Sequence, residues 1–123
     1  MLHLLIHPIA DAVARHLGVD TAQIAPLITT PGKPDAGDLA LPCFQPAKVA
    51  GRNPAQVASE LAATLAVPGV TARATGPFLN FSLSPAAVAA ALLPALADGP
   101  AALRLPTTGQ TVCVDFSSPN IAK

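Results

Sequence analysis

The sequence predicts an α+β domain, a small, mostly antiparallel sheet with helices packed on one of its faces. Three observations carry that prediction. Residues 70–74 and 78–83 alternate apolar and polar side chains on either side of Gly76-Pro77, the pattern of a β-hairpin. Asn53-Pro54 and Ser84-Pro85 each set a capping side chain directly before a proline, the signature of a helix start. Near the N-terminus Leu2, Leu5, Ile6, Ile9, Ala10, Val13 and Leu17 recur at helical spacing.

Taken in order, residues 2–17 form an amphipathic helix in which Pro8 implies either a kink or a later start, and which Gly18 stops. Residues 21–24 add a short helical turn. Residues 25–29 are apolar and partly β-branched and read as a strand. Residues 30–38 (Thr-Pro-Gly-Lys-Pro-Asp-Ala-Gly-Asp) form a loop. Residues 39–42 are extended, with Pro42 confining them to a sheet edge. A short helix over 44–50 ends at Gly51, and a second runs from the Asn53 cap to about Leu65, with Val57, Leu61 and Leu65 on one face. The hairpin follows. It puts Phe78, Asn80 and Ser82 on one side of the sheet and Leu79, Phe81 and Leu83 on the other. The Ser84 cap opens a helix over 85–97. A Pro-, Gly- and Thr-rich linker over 99–110 separates this domain (1–98) from a last segment, 111–123.

That last segment is an apolar strand-like run, 111–116, leading into Ser117, Ser118, Pro119 and Asn120. A strand that ends in polar groups is how open α/β sheets present ligand sites. It reads as the opening of a second domain not contained in the 123 residues.

Composition narrows the function. Seven basic residues balance seven acidic ones, which argues against binding nucleic acid by bulk phosphate neutralisation alone. It leaves room for a module that recognises a folded RNA through shape and stacking. No apolar run reaches the ~20 residues of a membrane span. The N-terminus lacks the basic region and cleavage site of a signal peptide, so a cytoplasmic location is expected. Cys43 and Cys113 lie far apart with no CxxC partner and read as buried free thiols. His3 and His7 stand four apart, but no Glu or third ligand accompanies them, so no metal site is expected. The loop lysine, Lys33, follows a glycine without the spacing of a phosphate-cradling loop and reads as solvated, and Asp38 reads as a turn aspartate.

Two places stand out. Phe78 and Asn80 share a sheet face, which offers a ring for stacking and an amide for base edges if that face is open. The commoner arrangement for such a hairpin hides the phenylalanine under a loop. In the terminal segment, Asp115 suits a cation, Ser117, Ser118 and Asn120 a polar head group, and Lys123 a phosphate.

Together these two places resemble the N-terminal region of the arginyl-tRNA synthetases, which are class I aminoacyl-tRNA synthetases. The segment Asp115-Phe116-Ser117-Ser118-Pro119-Asn120-Ile121-Ala122-Lys123 is similar to the stretch just upstream of that family's His-Ile-Gly-His signature. Gly37-Asp38-Leu39-Ala40, Ala47-Lys48, Gly51-Arg52-Asn53-Pro54 and Gly76-Pro77-Phe78-Leu79-Asn80-Phe81 are similar to its additional N-terminal domain. The resemblance implies that Phe78 and Asn80, with Thr75 where some relatives carry Asn, contact the D-loop at the outer corner of the tRNA for arginine. It implies that Asp115, Ser118 and Asn120 hold L-arginine and that Lys123 assists the phosphates of ATP, used with magnesium, in a full-length, monomeric arginine–tRNA ligase. The 123 residues stop before the His-Ile-Gly-His signature, so they are expected to hold no cofactor and to be inactive alone. Two further readings stay open from the sequence: a free-standing RNA-binding module, and a protein-interaction domain that uses an exposed strand edge.

Overall fold

A computed structural model describes residues 2–97 and, beyond them, residues 99, 109, 111, 113 and 114. The chain begins with α1 (Leu2–Leu17), which stays continuous through Pro8. Gly18 ends it with a positive φ of 68°, the left-handed conformation that glycine adopts without a Cβ penalty. The short helix α2 (Thr21–Ile24) follows, capped by Asp20, whose carboxylate accepts from the Ala22 N–H at 2.9 Å.

The strand expected over residues 25–29 does not form. Ala25–Leu27 is a 3₁₀ turn that prolongs α2. Pro26 explains the difference, because its ring fixes φ near the helical value and it has no N–H to give a ladder. Only Thr29 reaches the sheet, through an isolated bridge to Ala40 with hydrogen bonds of 2.9 and 2.7 Å.

The sheet has three antiparallel strands in the order β1 (Leu39–Pro42), β3 (Phe78–Leu83), β2 (Val70–Thr75). Between β1 and the hairpin lie α3 (Phe44–Val49) and α4 (Pro54–Thr64). Asn53 caps α4 through its side chain, which accepts from the Ala55 N–H at 2.9 Å. Gly76 and Pro77 join β2 to β3 as a two-residue loop closed by the Thr75–Phe78 pair. Gly76 has φ of 57°, while the proline ring holds the next φ negative. Positive φ at the first central position only is the type II′ pattern, which suits the twist of a hairpin. The chain then enters α5 (Pro85–Ala97), whose first turn is capped by Ser84 Oγ, accepting from the Ala87 N–H at 3.1 Å.

Strand alternation divides the sheet into two faces. On one, Leu39 and Leu41 of β1 meet Leu79 and Phe81 of β3, all 1% exposed or less. Ile9, Ala10, Val13 and Ala14 of α1 and Val57, Ala58 and Leu61 of α4 close over them in a single core. The expected α+β arrangement, with helices on one face, is therefore what the chain builds, although every strand pair is antiparallel. Among the described residues no α-helix packs along the other face, and the loop over 30–37 runs beside it. The predicted strand over 111–116 lies outside the described residues except for Thr111, Cys113 and Val114, which are exposed. The positions of Asp115, Ser118, Asn120 and Lys123 lie outside them entirely.

Candidate nucleic-acid interface

The helix-free face is built from cross-strand neighbours. Pro42, Phe78 and Thr75 form one row across the three strands, and Ala40, Asn80 and Arg73 form the next. Residues paired this way hold their side chains about 5 Å apart on the same side. Thr75, Phe78 and Asn80, the residues singled out from sequence, therefore come together. Asn80 Nδ2 donates to Thr75 Oγ1 at 3.2 Å. This bond fixes the plane of the carboxamide and, among the described residues, leaves its oxygen and a second N–H free, a donor–acceptor pair of the kind that reads a base edge.

Phe78 is 42% exposed. It is neither core nor hidden under the loop. It lines a cavity of about 370 Å³, along with Thr75, Asn80, Ala40 and Pro42 from the sheet and Thr29, Thr30 and Lys33 from the loop side.

Sequence reasoning missed three neighbours of this site. Phe44, at the start of α3, is 51% exposed and meets Phe78 edge-on, with ring centroids 5.7 Å apart and an interplanar angle of 87°. The Cys43 N–H donates to the Pro77 carbonyl at 2.9 Å, which ties the start of α3 to the hairpin turn and holds the two rings together. Arg73 is exposed and directly across from Asn80. Lys33 reaches the cavity from a loop that its own sequence marked only as solvated. Arg73 is readable from the hairpin register that also pairs Thr75 with Phe78, whereas Phe44 and Lys33 could not be found from local spacing, because each depends on how α3 and the loop are placed against β3. Phe81, beside the candidate site in sequence, is instead 1% exposed in the core.

The remaining candidates stay apart from this face. His3 and His7 are exposed on α1. Among the described residues no three His, Cys, Asp or Glu side chains gather as a metal site would need. His16 Nε2 lies 3.2 Å from Glu60 Oε1, and Arg52 pairs with the other oxygen of Glu60, which ties α1 to α4. The hydrogen bond from Arg52, with a second from His16, holds the Glu60 carboxyl below its usual range. Burial pushes the Cys43 thiol up to about 11, so it is an inert core sulfur. Asp38 is more than a turn residue: its carboxylate accepts from the Leu83 N–H at 2.8 Å and pins the loop to β3. No helix among the described residues is long and apolar enough to cross a membrane.

Comparison with known proteins shows the family of the chain. The model of the arginyl-tRNA synthetase N-terminal domain matches residues 3–83. The arginine–tRNA ligase of Chloroflexus aggregans is 42% identical over 99% of the chain, and that of Clostridium beijerinckii 37% identical over 94%. The arginyl-tRNA synthetase of Thermus thermophilus superposes on 75% of the chain with a TM-score of 0.52 and 32% identity, covering 15% of its own length. These matches place the chain with the N-terminal domains of aminoacyl-tRNA synthetases. It belongs to the arginyl-tRNA synthetase N-terminal domain family. The chain spans about a fifth of the length of the curated relatives it matches, which are enzymes.

Proposed function

We propose that the chain is the tRNA-docking part of an arginine–tRNA ligase, which joins arginine to its tRNA at the expense of ATP. The helix-free sheet face would receive an unpaired base of the D-loop at the tRNA elbow. The observation that carries this reading is the half-exposed Phe78 ring beside an Asn80 carboxamide oriented by Thr75, at the floor of an open cavity. A ring takes up any base by stacking, and an amide with one donor and one acceptor free adds base preference. In this reading the chemistry belongs to the rest of the ligase. Asp115 would face the guanidinium of arginine as a charge-assisted pair. Ser118 and Asn120 would hold its head group, and Lys123 the phosphates of magnesium-bound ATP. A monomer acting in the cytoplasm is part of the same proposal.

The test is steady-state aminoacylation by the full-length ligase carrying Phe78→Ala or Asn80→Ala. Both should raise KM for tRNA and leave KM for arginine and ATP as in the wild type. An unchanged tRNA KM in both variants would remove the docking face.

A further inference from the structure

The loop over 30–37 is unused by the docking reading, yet it is held in place on both sides. It leaves at Thr29, which exchanges two backbone hydrogen bonds with Ala40. It returns at Asp38, whose N–H donates to the Phe81 carbonyl at 2.8 Å and whose carboxylate accepts from the Leu83 N–H. Between these anchors the Ala36 N–H donates to the Lys33 carbonyl at 3.1 Å and tightens the turn. Lys33 is exposed and, among the described residues, is the one charged residue lining the cavity. Among the described residues no carboxylate pairs with its ammonium group. Asp35, two residues on, does not line the cavity.

We infer that Lys33 binds the backbone phosphate of the nucleotide whose base stacks on Phe78, so that the cavity holds one whole nucleotide of single-stranded RNA, base on the sheet and phosphate on the loop. The inference rests on the docking reading and deepens it. A cavity of about 370 Å³ lies near the lower end of the ~300–1,000 Å³ usual for small-ligand sites, the scale of one nucleotide and not of a stretch of them. A stacked base carries its phosphate with it, and a lysine ammonium is a compact point charge suited to that group. On a chain with no net charge, no general positive field attracts phosphate, so a cation at the cavity has a large share of the electrostatics.

The experiment is equilibrium binding of arginine tRNA to the full-length ligase at several salt concentrations, with wild type, Lys33→Gln, Lys33→Arg and Phe78→Ala. Arg15→Gln, on the exposed side of α1, serves as a charge control. Loss of one single-strand phosphate contact flattens the dependence of log K on log salt by about 0.7, so the Lys33→Gln deficit should shrink about fivefold between about 50 and about 500 mM salt. Lys33→Arg and Arg15→Gln should keep the wild-type slope. Phe78→Ala should weaken binding at every salt concentration with little change of slope. A wild-type slope in Lys33→Gln, with Phe78→Ala weakened, would overturn the phosphate role and leave the docking face standing. Wild-type binding by Phe78→Ala would overturn both.

Discussion

Gly37→Ala tests whether the loop is held where the candidate site needs it. Gly37 has φ of 110° and ψ of −169°, a region open essentially to glycine alone, and a side chain forced into it costs about 1–3 kcal/mol. A Cβ added there would stand 2.7 Å from the Phe81 carbonyl oxygen and 3.2 Å from its carbon, against an ordinary contact of about 3.5–4 Å. Phe81 lies on the central strand with its ring in the core, so the strand cannot retreat and the loop must lift. Lifting strains the two bonds of Asp38 to β3, of which the carboxylate bond is of the charged kind worth about 1.5–3 kcal/mol. Because Asp38 is exposed, the lower end applies, and the two effects together give a loss of about 3 kcal/mol. For a domain of this size that is a fall in Tm of about 12–24 °C, read by thermal or urea unfolding. Gly32→Ala in the same loop is the control. Its added Cβ meets nothing within 4 Å, so it should be neutral or slightly stabilising. Equal stability of the two variants, within about 0.5 kcal/mol, would refute the close approach of the loop to β3.

Three other outcomes follow from the same geometry. Phe81→Ala should cost about 3–5 kcal/mol in urea unfolding, whereas Phe44→Ala, which removes a half-exposed ring, should leave stability within about 1 kcal/mol of wild type and weaken tRNA binding. A thiol reagent at mildly alkaline pH should label the exposed Cys113 quickly and reach buried Cys43 only on unfolding; rapid labelling of both would contradict the core packing. Glu60 is held below its ordinary carboxyl range by Arg52 and His16, so its contribution to stability is present above that range and is lost as pH falls through the lowered value. Glu60→Gln should therefore destabilise at neutral pH and flatten the acid limb of stability against pH, and an unchanged acid limb would show that the contact with Arg52 adds nothing.

Much of the fold was legible because local signals and tertiary demand agree. Asn53-Pro54 and Ser84-Pro85 start α4 and α5 where they stand in the sequence. The alternation from Phe78 to Leu83 reproduces the burial of β3, with Leu79 and Phe81 inside. Residues 25–29 misled because apolar, β-branched composition suits a strand, while Pro26 and the preceding helical turn carry the backbone on as a 3₁₀ turn. The candidate site was half legible. Thr75, Phe78 and Asn80 lie within one hairpin and could be placed together from alternation alone. Arg73 is placed across from Asn80 by that same hairpin register, whereas Phe44 and Lys33 join them through the ring contact of α3 and the 30–37 loop, which no local pattern encodes.

The most direct test of the docking role is chemical probing of arginine tRNA, nucleotide by nucleotide, with wild-type full-length ligase and with Phe78→Ala. The proposed function predicts protection of unpaired D-loop nucleotides by the wild type and loss of that protection in the variant, with contacts elsewhere on the tRNA unchanged. D-loop nucleotides equally reactive with and without wild-type protein, or equally protected by Phe78→Ala, would contradict it.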